Sequence, residues 1–173
     1  MGTVLVTGAT SGIGEEFCWQ LAAAGHDLVL VARRDDTLRA LADSLANVAG
    51  VRAEVIAADL STDSGCARVA ARLDVGGPAD REKPDLAPVD LLVNNAGFGL
   101  GTDFLDNSLD NEINGLNVMV RAVMTLAHHA GISMRSRGRG AILNVGSVAS
   151  RTGAGTYSAH KAWVVAFTEG LAA

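Results

Sequence analysis

Aromatic side chains are scarce in this chain, at 4% of its 173 residues, and proline (3) and cysteine (2) are rarer still. A core with so few rings must be built from Ala, Val, Leu and Ile, a mixture that suits parallel strands buried between helices. Cys18 and Cys66 form neither a CxxC nor a zinc spacing. They give no disulfide framework and read as small buried or half-buried thiols in a reducing compartment. Positive charge is also short, with 14 Lys and Arg against 19 Asp and Glu and a net charge of −5. That balance argues against nucleic acid as the main partner, because phosphate binding needs a basic surface. Basic residues cluster only locally, at Arg33-Arg34 and over 135–139. No apolar run is long enough to span a bilayer, and no charged-then-apolar leader precedes the first strand pattern. The expectation is a soluble, cytoplasmic protein. His128 and His129, adjacent on a helix, diverge by about 100° and make a poor metal pair. No metal site is expected.

What is present is glycine, 20 residues of it, and a regular alternation of short apolar runs with helix-length spacers. Strands are expected at 3–6, 27–31, 51–57, 89–93 and 141–145, and helices at 15–24, from the capping side chains Asp35, Asp36 and Thr37 to 47, at 62–73, at 111–134 and from 158 onward. That order implies a parallel sheet with helices on both faces, in a single domain over 1–173. The stretch 76–88, with three prolines and five charges, reads as a solvated loop before the fourth strand, and 135–140 as a solvated basic turn.

Two segments carry chemistry. Thr7-Gly8-Ala9-Thr10-Ser11-Gly12-Ile13-Gly14 follows the first strand and opens a helix. Glycines there allow a tight turn and let a pyrophosphate approach the free N–H groups of the helix N-terminus. The spacing is GxxxGxG, not GxGxxG. At the other end, Tyr157 and Lys161 stand four residues apart, on one face of a helix. A neighbouring ammonium favours the phenolate and draws a tyrosine pKa toward neutrality. Such a phenol can exchange a proton with a carbonyl or an alcohol. His160 lies between the two and is expected at a pocket edge or on the surface.

The ordered set TGATSGIG, NNAG at 94–97, a serine and then YxxxK resembles the short-chain dehydrogenase/reductase family over essentially all of the chain. The resemblance implies a Rossmann-like, doubly wound parallel sheet. It implies cofactor contacts from Gly8, Thr10, Ser11, Gly12, Ile13 and Gly14. Arg33 and Arg34 end the second strand where an acidic residue would select NAD(H). Two guanidiniums suit a 2′-phosphate, so NADP(H) is expected over NAD(H). Asp59 and Leu60 match the adenine side, with a helix cap as the alternative role for Asp59. Asn94, Ala96 and Gly97 should border the cofactor, while Asn95 resembles the residue that ties neighbouring strands. Tyr157 and Lys161 also belong to the cofactor contacts. Ser147 matches the serine that bonds the substrate oxygen, ten residues before Tyr157 where many members have a loop three residues longer. Ser150 is a weaker candidate. Asn117 matches the helix asparagine of a water relay, with Asn114 competing.

The reaction implied is hydride transfer between a nicotinamide and a carbonyl/alcohol pair on a small molecule. Tyr157 is the general acid/base, and Lys161, Ser147 and Asn117 support it. Two alternatives stay open: a non-catalytic nucleotide-binding or interaction module, and an epimerase or lyase on the same scaffold. Family members continue beyond the helix in which this chain stops, so the C-terminal part is expected to be missing. A sheet cut there would leave an open edge and exposed apolar groups at Trp163, Val164, Val165 and Phe167. Homo-oligomerisation through the 111–134 helix and the Tyr157 helix is expected by analogy. Loop 98–110 is expected to form an apolar pocket wall or simply to pack.

Overall fold

A computed structural model describes residues 2–78 and 86–172; the central part of the expected 76–88 loop lies outside the described residues. Five parallel strands run in the order β3-β2-β1-β4-β5. They are β1 (Thr3–Thr7), β2 (Asp27–Ala32), β3 (Ala53–Ala57), β4 (Val89–Asn94) and β5 (Ala141–Asn144). The described residues form six α-helices between and after them: α1 (Gly12–Ala23), α2 (Asp35–Ala49), α3 (Asp63–Leu73), α4 (Leu109–Leu116) and α5 (Ala122–Arg137), both between β4 and β5, and α6 (Gly155–Ala172).

Side chains alternate across a strand, and the two faces of the sheet sort accordingly. Val4, Val6, Leu28 and Leu30 point to one face, under Cys18 and Ala22 of α1 and Leu38, Leu41, Ala42 and Leu45 of α2. Leu5, Val29, Val31 and Leu92 point to the other, under Val69 and Leu73 of α3 and Leu126 and Ala130 of α5. β1 is central and buried at every position, which is why its sequence is a continuous apolar run ending in threonine. Both cysteines are buried and free. Burial pushes the Cys18 thiol up to about 12, which leaves it inert.

The chain adds β2 and β3 on one side of β1, then crosses to place β4 on the other. The crevice at the C-terminal ends of β1 and β4 is the position where open α/β sheets hold ligands.

Several local features differ from expectation. Thr62, not Asp59, caps α3, its hydroxyl accepting the Gly65 N–H at 3.0 Å. Asp35 and Asp36 lie inside the first turn of α2 rather than at its cap; Asp35 holds Arg39 one turn on, at 2.6 Å. The long helix expected over 111–134 begins at Leu109 and is interrupted by a π-helical segment at Asn117–Arg121. The basic turn is not simply solvated: Arg137 is largely buried and donates to the Val89 carbonyl at 2.7 Å and to Ser133 Oγ at 2.6 Å. β5 is the half-exposed edge of the sheet. Of the four apolar groups expected to be exposed on α6, Val164 is buried, Trp163 stacks on Phe167 with centroids 4.7 Å apart, and Val165 is exposed.

Candidate active site

The first βα turn is held by contacts that leave no room for a side chain at Gly8 or Gly14. Gly8 has φ +69°, and a Cβ on Gly14 would lie 2.1 Å from the Gly8 carbonyl oxygen. Thr7 anchors this turn to β4. Its hydroxyl donates to the Val93 carbonyl at 3.4 Å and accepts the N–H groups of Asn95 and Ala96, both at 3.0 Å. Asn95 returns the tie, its side-chain amide donating to the Thr7 carbonyl at 3.0 Å and the Gly8 carbonyl at 3.4 Å. The strand-tying role assigned to Asn95 is thus visible as geometry. The hub role of Thr7 was missed, because a threonine ending a buried strand carries no signal of its own.

Beside this turn lies a cleft of about 540 Å³. It gathers Gly8, Ser11, Arg33, Asp59, Leu60, Ala96 and Gly97, brought by the four loops that follow β1, β2, β3 and β4. Asp59 accepts the Ser61 N–H at 2.9 Å and its hydroxyl at 2.8 Å. The backbone bond from Ser61, the Ser61 hydroxyl and the nearby charge of Arg33 hold its carboxyl below the usual range, against the opposing effect of burial. The far wall comes from Asn111, Asn114 and Val118 of α4 and the π segment.

Other predicted residues stand back from this lining. Thr10, Gly12, Ile13 and Gly14 form the turn and the opening of α1, with Ile13 61% exposed. Arg34 is the N-cap residue of α2. Asn94 is buried, its amide donating to Asn144 Oδ1 at 2.9 Å and its carbonyl accepting the Val145 N–H at 2.9 Å. Asn117 opens the π segment, and its carbonyl accepts the Ala122 N–H.

A second cleft, of about 670 Å³, is lined by residues 99–104 on one side and 153–157 on the other, with Tyr157 among them. The residues that line the two clefts meet in sequence at Phe98 and Gly99. Lys161 stands between them. It is 6% exposed, donates to the Val145 carbonyl at 2.8 Å, and its Nζ is 6.0 Å from the Tyr157 ring centroid. A Cβ on Gly97 would lie 3.7 Å from that Nζ. Burial lowers the Lys161 pKa below the ordinary lysine value. Ser147 caps the short 3₁₀ turn Val148–Arg151, which includes Ser150, its Oγ accepting the Ala149 N–H at 3.2 Å. His160 is not at the surface: it is buried, and its Nδ1 has no hydrogen-bond partner among the described residues. Burial lowers its pKa, and the charge of Glu112 offsets part of that.

The match to the short chain dehydrogenase family runs over residues 2–173. The chain belongs to the short-chain dehydrogenase family. Its relatives include the NADP-dependent 3-hydroxy acid dehydrogenase of Schizosaccharomyces pombe, 32% identical over 98% of this chain and 64% of that protein. Among solved structures, a short-chain dehydrogenase from Sphingobium yanoikuyae in complex with NADPH superposes with a TM-score of 0.89 at 35% identity, over 99% of this chain and 64% of the other. The L-sorbose reductase of Gluconobacter frateurii, complexed with NADPH and L-sorbose, gives 0.87 at 30% identity, over 99% and 63%. The chain thus spans under two thirds of these family members. No described helix is long and apolar enough to cross a membrane, and the described residues hold no group of three or more His, Cys, Asp or Glu that could hold a metal ion.

Proposed function

We propose that this short-chain dehydrogenase chain is the nucleotide-binding and acid/base part of an NADP(H)-dependent oxidoreductase that interconverts a carbonyl and an alcohol. The observation that carries this reading is Lys161: buried on the same helix face as Tyr157, with Nζ beside Gly97, it joins the cleft at the glycine turn to the cleft that holds the phenol.

The residues fit a dinucleotide phosphate. The turn at Gly8 and Gly14 brings bare backbone to the opening of α1, where unpaired N–H groups suit a pyrophosphate. Arg33, in the same cleft, offers a guanidinium for a 2′-phosphate. NADP-dependent and NADPH-bound relatives support the same choice. When bound, the nicotinamide supplies the hydride.

The chain's own groups handle the proton. Tyr157 donates it to the carbonyl oxygen in reduction and accepts it in oxidation. Lys161 supplies positive charge near the phenol and a second donor toward the cofactor ribose. Ser147 orients the substrate oxygen, and Asn117, with its carbonyl at the start of the π segment, supports a water path to solvent. The protein is read as soluble and cytoplasmic. It is further read as a homo-oligomer through the long helix, where Ile113, Leu116 and Met124 are exposed.

Tyr157→Phe tests the assignment. Turnover with a carbonyl panel should vanish while NADPH binding stays near wild type. Surviving turnover would remove Tyr157 from the role. Wild-type binding without any turnover would favour a binding module.

A further inference from the structure

Glu112 is an acidic side chain that no role above uses. It lies on α4, 6% exposed, and its two oxygens accept from different segments. Oε1 accepts the Asn107 amide at 2.6 Å. Asn107 is joined in turn to Asn111, whose amide donates to Asn107 Oδ1 at 3.0 Å and to the Leu100 carbonyl at 3.4 Å. That chain of bonds holds the 99–104 wall of the Tyr157 cleft. Oε2 accepts the hydroxyl of Thr156, the residue directly before Tyr157 in the opposite wall.

One turn further along, the same two helix faces meet again. A Cβ on Gly115 would lie 3.6 Å from His160 Cε1. Positions 112 and 115 of α4 therefore engage positions 156 and 160 of α6. Each helix residue is rotated about 100° from the one before it. Fixing 156 and 160 consequently fixes the direction in which 157 and 161 project.

We propose that Glu112 is a positioning residue: a strut between the two walls of the Tyr157 cleft that sets their spacing and the rotation of α6. The inference rests on the reading of Tyr157 as the acid/base. Packing alone is a poor reason for this residue. A buried carboxylate needs hydrogen bonds to offset its desolvation, and apolar groups of similar volume commonly fill such space at no loss of stability. Here both oxygens are spent on the walls of one cleft.

The test uses Thr156→Val, Thr156→Ser and Glu112→Ala. Thr156→Val is nearly isosteric and exchanges the hydroxyl for a methyl, which cannot donate to Glu112. Its expected effect is a fall in kcat of roughly 10- to 100-fold, the scale of a small misplacement of a reacting group. NADPH affinity should be unchanged, and Thr156→Ser should restore kcat. Tyr157 is the single tyrosine of the chain, so ¹³C-tyrosine labelling gives one ring signal that reports on this residue without turnover. That signal should move in Thr156→Val and in Glu112→Ala, and return in Thr156→Ser. A folded Thr156→Val with wild-type kcat, or a ring signal unmoved in both variants, overturns the strut. If wild type turns over no carbonyl, the reading of Tyr157 fails by itself, and the ring signal alone decides whether Glu112 positions it.

Discussion

Replacing Gly14 by alanine sets two effects of opposite sign against each other. The position lies in the first turn of α1, where alanine is the better helix former by up to about 1 kcal/mol. Against that, the new methyl would sit 2.1 Å from the Gly8 carbonyl oxygen, 2.4 Å from Asn95 Nδ2 and 2.9 Å from the Gly8 carbonyl carbon. Two of these atoms are backbone, in a turn tied to β4 through Thr7, so no side-chain rotation relieves the overlap. Overpacking of this kind costs about 1–3 kcal/mol, and displacing the Asn95 amide from its two carbonyls adds about 1 kcal/mol more. The clash should win, for a net destabilisation of about 2 kcal/mol. Gly12 is the control. It has φ +54°, and none of the described residues lies within 4 Å of a Cβ built there. Alanine there should therefore cost only the left-handed backbone term, about 1 kcal/mol, and asparagine less, because it tolerates that region. Urea unfolding with and without NADPH measures both. Gly14→Ala should lose stability and NADPH affinity together, whereas Gly12→Asn should keep most of its stability. A Gly14→Ala protein as stable as wild type, with NADPH binding intact, would refute the close-packed first turn.

Arg33→Ala should weaken NADPH binding by roughly 10- to 100-fold, the worth of a charge-assisted contact, and leave NADH binding unaltered; equal losses for both would remove Arg33 from the 2′-phosphate. Asn95→Ala should lower unfolding stability by about 1–3 kcal/mol, read by urea titration, because the Thr7 and Gly8 carbonyls lose their shared donor. His160 has a folded pKa below its unfolded value, so its contribution is present at neutral pH. That contribution is lost as pH falls through about 6.5, where the unfolded chain takes up the proton first. Thermal melts of wild type and His160→Gln between neutral pH and pH 5 should show a shallower decline in the variant.

The alternation of apolar runs and spacers was enough to locate all five strands, because β1 and its neighbours are buried on both faces and cannot disguise their composition. The glycine turn was legible for the same kind of reason: the left-handed backbone at Gly8 and the approach of Gly14 to the Gly8 carbonyl are local. What escaped depends on contacts between distant segments. Arg33 and Arg34 read as a pair, yet only Arg33 lines the cleft. Arg34 has extended backbone angles, and in extended chain successive side chains point to opposite sides. The π segment at Asn117 leaves no periodicity that a sequence of this length can reveal. Asn114 and Val118, four residues apart on one face, line the nucleotide cleft, and Asn117 is not in that lining. Glu112 and His160 look like surface residues in any window of sequence. Their burial follows only from α6 lying across α4.

The tie at Thr7 also dictates when the site can exist. Its hydroxyl and carbonyl meet Val93, Asn95 and Ala96, partners 86 to 89 positions away along the chain. β1, β2 and β3, by contrast, pair across much smaller separations, Thr3 with Asp27 and Leu28 with Ala53, through one crossover helix each. The early half of the sheet can assemble by local pairing, whereas the nucleotide cleft waits for the late, high-separation closure by β4. A folding intermediate with only the first three strands would carry the complete glycine motif, Arg33, Asp59 and Leu60, and still lack the wall that Ala96, Gly97 and Asn114 supply. Cofactor capture thus reports on completion of the sheet, and free NADPH should act on the last step of folding and not on the first.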